Sequence, residues 1–558
     1  MKASKFIRFL RNGLFLVLLV GLVFVLSRAV YAQQEVSVIR QSGTPAYKID
    51  PAVGADFASN VALCNIYDSL VFPNPDGSFK PLLARSWEIS EDGLTYTFDL
   101  VPGAKFHNGD ELTADDVVFS LERIMTIGEG YGFLFVDVIK GVKVLGKDKV
   151  QITLEKLLGT FLNTLVRLYI LDKDQVMAHI QEGPYGEFGD YGKGWLLDHD
   201  AGSGPYQVKE NKVPEYLLLE KFDDYWDGWE NKEDAPQYYK ILGTREPITV
   251  KTLFSIGDME LSDSWQSSET YAELDKMPNV DLSSYFMGNV MNIMLHTKKP
   301  PTDDVHFRKA LAYCFDYQQA IDKIYIGSRL IPGPVGLGIP GCNPNLKPYK
   351  LDLAKAEEEL KQSPYYGKLE QYPVTINWLQ TVPDEEKISL MIQANAAKLG
   401  IKVELVKAPW VAIVSNMANP ETTHNGTIVY NTPSYPDAGE MLSLRYHSRT
   451  CGSFDQGEWL QNPEIDAMID DAIATLDQKE RFQKYYVIQE KIMELCPTIF
   501  IGEQSFRYAY RSDYIVYPVV EAIKQGKPYP QFMGYDFYFR DFKVTPEKAQ
   551  PPYTQFKP

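Results

Sequence analysis

Cysteine and histidine are scarce in this chain of 558 residues. Its five cysteines form no C-x-x-C pair, and no two of its seven histidines have the spacing of a metal-binding pair on a helix. A structural zinc site needs such clusters, so we expect no metal site. A nucleophile elbow and a paired-carboxylate motif are also missing. The sequence therefore predicts no catalytic residues, no enzyme activity and no cofactor.

Basic residues are fewer than acidic ones, 56 against 74, which gives a formal net charge of −18. A strongly acidic protein does not follow the phosphate backbone of DNA or RNA. Nucleic acid is therefore not an expected partner.

Long apolar runs are limited to one, which covers residues 14–26. It follows four basic residues and precedes Ala29-Val30-Tyr31-Ala32, which predicts a signal peptide over residues 1–32 with cleavage after Ala32. The alternative is an uncleaved anchor, but a spanning helix needs about 20 apolar residues. Removal of the five basic residues of this segment changes the formal net charge to −23.

The most informative segment covers residues 74–124. Apolar and polar residues alternate on both sides of Glu91-Asp92-Gly93, which predicts a β-hairpin on an Asp-Gly turn. Thr113 and Asp116 have the spacing of a capping box, and apolar residues then recur at helical intervals. We therefore expect a helix that begins at Ala114.

The residues of this segment and their order resemble those of a segment in extracellular solute-binding protein family 5. Its members are the receptors of ATP-driven importers of oligopeptides, dipeptides and nickel. Two further blocks, residues 202–227 and 291–325, are similar to elements of the same family. The resemblance implies an α/β, periplasmic binding protein-like type II fold of cluster C. It has two lobes and an extra β-rich subdomain in the first lobe.

The expected domain limits follow from the resemblance and from the chain length, which exceeds what one core serves. Lobe I takes residues 33–288 and 502–558, with the inserted subdomain at about 75–200, and lobe II takes residues 289–501. Within lobe II we expect a βαβ unit with strands at 374–379 and 401–405 around a helix at 384–398. Asn462 and Pro463 predict the start of another helix.

Two loop features have weak functional signals. Residues 336–341 match G-x-G-x-x-G, but prolines surround them and the flanking strand and helix of a nucleotide site are missing, so we interpret them as a surface or cleft-edge loop.

Cys342 and Cys451 lie in loop sequence and are the pair we expect to form a disulfide, although connectivity does not follow from sequence.

A cleft between lobes needs aromatic platforms and a few polar groups. Trp265 and Trp410 each follow an apolar strand and are candidates for ligand contact; the alternative for both is a place in a core.

The segment at 430–442 corresponds to the family pattern W-x-x-D-Y-P-D-P, whose first aspartate pairs with the α-amino group of a bound peptide. Here Tyr435 and Asp437 are kept, but Asn431 and Ser434 replace the tryptophan and that aspartate. We include all four as candidate ligand-binding residues. Asp437 could provide the missing carboxylate, but we favour the alternative that it caps the helix beginning at Ala438.

The resemblance implies a periplasmic receptor that delivers short peptides to the permease and ATPase of an ABC importer. No cysteine precedes Cys64, so a lipid-attachment cysteine is missing, and we expect a free periplasmic monomer. The alternatives are the same role for an oligosaccharide or other neutral solute, which would suit Asn431 and Ser434, and, more distantly, a periplasmic hydrolase.

Overall fold

The computed structural model describes residues 36–530 and 532–557. The predicted signal peptide lies outside these residues. Within the described ranges, no helix combines the length and the apolar character that a membrane span requires.

The first part of the chain forms ten strands in two sheets and a short pair. One sheet has the order β1-β10-β9-β8, the other β4-β5-β7-β6, and β2 pairs with β3. Only β1 and β10 run parallel within these sheets. The strands are β1 Val38–Ser42, β2 Val71–Pro73, β3 Phe79–Pro81, β4 Ala84–Ile89, β5 Thr95–Leu100, β6 Ile139–Gly146, β7 Lys149–Leu154, β8 Tyr206–Lys212, β9 Tyr216–Lys221 and β10 Tyr238–Leu242.

The predicted hairpin and helix are both confirmed. Strands β4 and β5 are antiparallel, and Gly93 between them has a φ of 69°, which a glycine adopts without strain. The first long helix begins at Ala114, where the Thr113 amide donates to Asp116 Oδ2 at 2.8 Å. The helices of this part are α1 Phe57–Ile66, α2 Ala114–Ile127, α3 Phe161–Thr164, α4 Lys173–Ala178, α5 Pro247–Ile256 and α6 Ser268–Leu274.

The second part is built on a five-stranded sheet with the order β13-β12-β14-β11-β15. Strands β12 and β13 are parallel and enclose a helix, so the predicted βαβ unit is confirmed. Asn462 caps the helix that begins at Pro463, as predicted. The strands are β11 Val280–Leu295, β12 Val374–Leu379, β13 Val403–Ala408, β14 Gly426–Asn431 and β15 Thr498–Arg511.

Eight helices cover this sheet, and the C-terminal segment then returns to the first part of the chain. There β16 Ile515–Val516 pairs with β17 Lys543–Val544, beside α15 Pro518–Lys524. The helices of the second part are α7 Val305–Cys314, α8 Tyr317–Gln319, α9 Leu353–Gln362, α10 Pro383–Ala397, α11 Trp410–Met417, α12 Ala438–Tyr446, α13 Pro463–Ala474 and α14 Gln478–Leu495.

The buried apolar side chains separate into large clusters that correspond to two lobes. One cluster joins residues between 39 and 287 with residues between 506 and 544, and it also takes in Tyr435. Two others draw only on residues between 290 and 501. We call these parts the first and second lobes; the exact limits given above remain a prediction. Strands β11 and β15 belong to both lobes and connect them.

The two connecting strands change register where they pass between the lobes, at Phe286 and Val290. At this point the buried carboxylate of Glu503 accepts from the Gly288 amide at 3.0 Å and the Leu337 amide at 3.1 Å, and it pairs with Arg329 at 2.8 Å. Leu337 belongs to the glycine-rich segment 336–341, which contains neither helix nor strand. That segment is a loop packed beside the connecting strands, as its prolines predict.

The prediction of a disulfide between Cys342 and Cys451 is wrong. All five cysteines lie in the described residues, and each has a free thiol. The Cys342 thiol contacts the Val335 carbonyl oxygen at 3.4 Å, whereas the Cys451 thiol contacts that of Leu460 at 3.7 Å. Both thiols therefore have local backbone partners instead of each other.

Candidate functional site

The carboxyl ends of three parallel strands meet at one edge of the second-lobe sheet. Strand β12 ends at Leu379, β13 at Ala408 and β14 at Asn431, and each is followed by a loop or a helix. Ligands of open α/β sheets bind outside such an edge. Asn431 is the last residue of β14, and Trp410 and Ser434 lie just beyond strands that end there, so the candidate site lies at this edge.

The first lobe reaches this edge through an aromatic contact. Trp265, which is 40 % exposed, meets Tyr430 of β14 edge-to-face, with ring centroids 6.5 Å apart. The Arg245 guanidinium lies 5.6 Å from the Trp265 ring, and Tyr430 shares a hydroxyl hydrogen bond of 2.8 Å with Tyr325. Trp265 is therefore an exposed ring between the lobes and not a core residue.

Trp410 is also exposed, at 42 %, where α11 begins. Its ring stands edge-to-face with Phe454, which is 40 % exposed, and the centroids are 5.7 Å apart. Exposed aromatic pairs of this kind provide flat apolar contact area with little loss of conformational entropy on binding. The structure therefore gives Trp265 and Trp410 separate aromatic partners at the same sheet.

Asn431 is buried, and its amide already has partners. The side-chain oxygen accepts from Asn292 Nδ2 at 3.0 Å and from Arg445 Nη1 at 2.7 Å. The side-chain nitrogen donates to Asp455 Oδ1 at 3.0 Å. Asn431 consequently orients neighbouring side chains.

The backbone of Ser434 connects the lobes. Its carbonyl oxygen accepts from Nε of Arg167, a buried first-lobe residue, at 2.6 Å. Its amide donates to Glu440 Oε1 at 3.1 Å, and burial raises the pKa of the Glu440 carboxyl to about 8. Tyr435 follows and packs in the first-lobe core cluster. The loop after β14 is therefore held between the two lobes.

Asp437 caps helix α12, as favoured above. Its Oδ1 accepts from the Gly439 amide at 2.8 Å, and Oδ2 faces Arg481 Nη2 at 3.4 Å. The side chain is buried, and burial raises its pKa. With both oxygens committed inside the lobe, Asp437 does not face the sheet edge as a free carboxylate.

Four further residues of this region had no signal in the sequence motifs: Arg167, Glu440, Arg445 and Asp455. Asp455 lies in a loop with no regular pattern, and burial raises its pKa to about 6. The sequence signal that could have indicated Asp455 is the excess of acidic residues over basic ones. Among the described residues, no group of three or more histidine, cysteine or acidic side chains is arranged to hold a metal ion.

Comparisons with known proteins give consistent results. A sequence model described as "Bacterial extracellular solute-binding proteins, family 5 Middle" matches residues 78–452. The probable D,D-dipeptide-binding periplasmic protein DdpA of Escherichia coli is 25 % identical over 505 residues, which cover 88 % of this chain and 93 % of that protein. Heme-binding protein A of Haemophilus influenzae is 27 % identical over 471 residues, 79 % of this chain and 82 % of that protein.

A solved structure is similar over nearly the whole chain. It is that of the ABC transporter-associated periplasmic binding protein DppA from Helicobacter pylori in complex with the peptide STSA. The TM-score is 0.75 at 25 % identity, and the match covers 92 % of this chain and 99 % of that one.

Proposed function

The chain belongs to family 5 of the bacterial extracellular solute-binding proteins, and we propose that it binds short peptides between its lobes and delivers them to an ABC importer. The names of two relatives support a peptide, since one is described as binding D,D-dipeptides and the other was solved with the peptide STSA. The observation that carries the proposal is the sheet edge where Trp265 of one lobe meets Tyr430 of the other.

Peptide is favoured over a neutral hydroxyl-rich solute by the polar groups at this edge. The interpretation as an oligosaccharide site depended on Asn431 and Ser434 as available hydrogen-bonding groups. The Asn431 amide already has protein partners, and the Ser434 hydroxyl interacts with the Glu440 carboxyl. The nearby carboxyl of Asp455, whose pKa of about 6 leaves it mostly ionised at neutral pH, favours a ligand with a positive group.

Delivery would follow from closure of the lobes about β11 and β15. In hinge closure a few residues of the connecting segments absorb the change of backbone angles, and the register shift beside Gly288 is suited to this. The signal peptide at 1–32 would export the protein to the periplasm. The closed, loaded form would then dock on a membrane permease whose partner ATPase drives import.

The test is a thermal-shift screen of residues 33–558 after unfolding and refolding to remove carried-over ligand. A pool of synthetic tripeptides with randomised side chains is expected to raise the unfolding midpoint, because a ligand that binds only the folded state stabilises it by mass action, about 2.7 kcal/mol at a hundred times Kd. Trp265→Ala should weaken peptide affinity several-fold. Tyr366→Ala, which removes another exposed ring, should not.

Oligosaccharides are the comparison ligands in the same screen. A midpoint that rises with oligosaccharides and stays constant with the peptide pool would contradict peptide binding. If wild type and Trp265→Ala bind peptides with equal affinity, the contact between Trp265 and Tyr430 is not part of the binding site.

A further inference from the structure

One of the two carboxylate oxygens of Asp455 accepts a hydrogen bond within the described residues, and the other accepts none there. Asp455 lies in the loop between α12 and α13, and its Oδ1 accepts from Asn431 Nδ2 at 3.0 Å. Its Oδ2 has no hydrogen-bond donor among the described residues. A half-buried carboxylate loses part of its hydration, which is costly unless a cation or donors replace the water.

The orientation of Asp455 is fixed by the residues behind it. The Asn431 side-chain oxygen receives two donors, from Asn292 and Arg445, so its NH₂ group must face Asp455. The other end of the Arg445 guanidinium pairs with Glu458 Oε1 at 2.7 Å. Arg445 also attracts Asp455 from a distance, but within the described residues its direct ion pair is with Glu458 and not with Asp455.

Buried polar atoms of the same group also lack partners. Asn292 Oδ1, Arg445 Nε and Glu458 Oε2 make no hydrogen bond within the described part of the chain, and all three residues are at most 1 % exposed. Each such atom costs about 1–3 kcal/mol of folding free energy if nothing satisfies it. These three atoms are closed to solvent, so they belong to the polar group that holds Asp455 in place and are not themselves contacts for a ligand.

The residue before Asp455 in the chain has an exposed apolar ring. Phe454 precedes Asp455, and its ring forms the exposed edge-to-face pair with Trp410. Glu440, on the other side, lies close enough for the Asp455 charge to help raise its pKa. A carboxylate beside exposed aromatic rings suits an ammonium group that carries an apolar side chain.

We propose that Asp455 binds a primary ammonium group of the ligand, the α-amino group of a peptide, with the Trp410–Phe454 pair beside it. This inference rests on the proposed function. Asp437 is excluded from the role by its helix cap and Arg481, and Glu440 by its burial behind the Ser434 amide. Asn431 is a positioning residue that holds the Asp455 carboxylate.

The experiment compares two probes on ligand-stripped protein: the randomised tripeptide pool and the same pool acetylated at the N-terminus. Titration calorimetry of wild type should give at least ten-fold weaker binding of the acetylated pool, about 1.4 kcal/mol. Asp455→Asn, which keeps shape and removes charge, should bind both pools equally weakly. Asp470→Asn, an exposed second-lobe carboxylate, is the matched control and should behave as wild type.

The outcomes separate this inference from the proposed function. If both pools bind wild type equally, or if Asp455→Asn keeps its preference for the free amine, the role of Asp455 is wrong and peptide binding stands. If neither pool binds wild type, both proposals fall. Should Asp455→Asn not fold, Asp455→Ser takes its place, and Asp455→Glu is expected to retain the amine preference.

Discussion

Asp437 and Arg481 form a buried pair whose members are 44 residues apart in the chain. Asp437 is 1 % exposed and Arg481 4 %. The same carboxylate accepts from the amide of Gly439 in the first turn of α12. Its position in the family-like motif suggested contact with ligand, whereas its contacts indicate a role in stability.

Asp437→Ala should therefore destabilise the protein without changing amine recognition. Removing one partner of a buried pair costs about 3–5 kcal/mol, and loss of a helix cap adds about 1 kcal/mol. Urea denaturation measures the change, and Asp470→Ala should stay within about 0.5 kcal/mol of wild type. Unchanged stability together with lost peptide binding would instead place Asp437 in the ligand site.

At the scale of elements, the connection between the lobes depends on the backbone at Gly288. This residue has a φ of 76°, in the left-handed region that favours glycine. A Cβ added there would collide with Ile339 of the glycine-rich loop. Pro433, in the loop after β14, also lies near that position. The bend in β11 thus fits against two loops of the second lobe.

Gly288→Ala is expected to lower the free energy of unfolding by more than about 2 kcal/mol, because backbone strain and overpacking act together. Gly228→Ala is the matched control, since its φ of 68° is similar but no atom of residues 36–530 or 532–557 lies within 4 Å of the added Cβ. The Gly228→Ala substitution should lower the free energy of unfolding by about 1 kcal/mol. Equal losses in the two variants would show that the close fit against Ile339 contributes nothing to stability.

At the scale of the whole molecule, several buried carboxyl groups take up a proton at a higher pH than a free carboxyl group does. Burial raises the pKa of Glu385 and of Glu440 to about 8, and that of Asp536 to about 7. The folded state then binds more protons than the unfolded state between about pH 4.5 and these values. Stability must fall as pH rises through that range.

Glu440→Gln tests one part of this pH dependence. Near Glu440, Asp455 raises the carboxyl pKa, while Arg167 and the Ser434 hydrogen bonds lower it. The free energy of unfolding of wild type should decrease between pH 5 and pH 8 more steeply than that of Glu440→Gln, by up to about 1.4 kcal/mol per pH unit. Denaturation curves at several pH values measure it. Parallel slopes for the two proteins would contradict a protonated Glu440.

Local patterns were enough to predict several elements. The Asp92-Gly93 turn, the cap at Thr113 and the helix start at Asn462 involve residues a few positions apart, and the structure has all three. The parallel pair β12 and β13 also followed from one strand-helix-strand segment. Short-range hydrogen bonds and turn angles act within the segment that encodes them, so sequence is sufficient there.

The candidate site could be predicted only in part. The sequence indicated the loop after β14 and the exposed rings of Trp265 and Trp410, and it indicated the cap by Asp437. It missed Arg167, which contacts Ser434 from 267 residues away, and it missed Asp455. Neither residue belongs to a periodic or motif-like pattern, and both acquire their surroundings only when distant segments pack.

The sequence by itself determined the hairpin, the capped helices, the βαβ unit and, through their order, the family. Only the tertiary structure decided which polar groups at the sheet edge are already satisfied and which are not. Asn431 and Asp437 are committed to partners, whereas one oxygen of Asp455 accepts no hydrogen bond from the part of the chain that the structure describes. The reason is physical: burial and hydrogen bonding depend on what the rest of the chain brings into contact, and residue type alone does not set them.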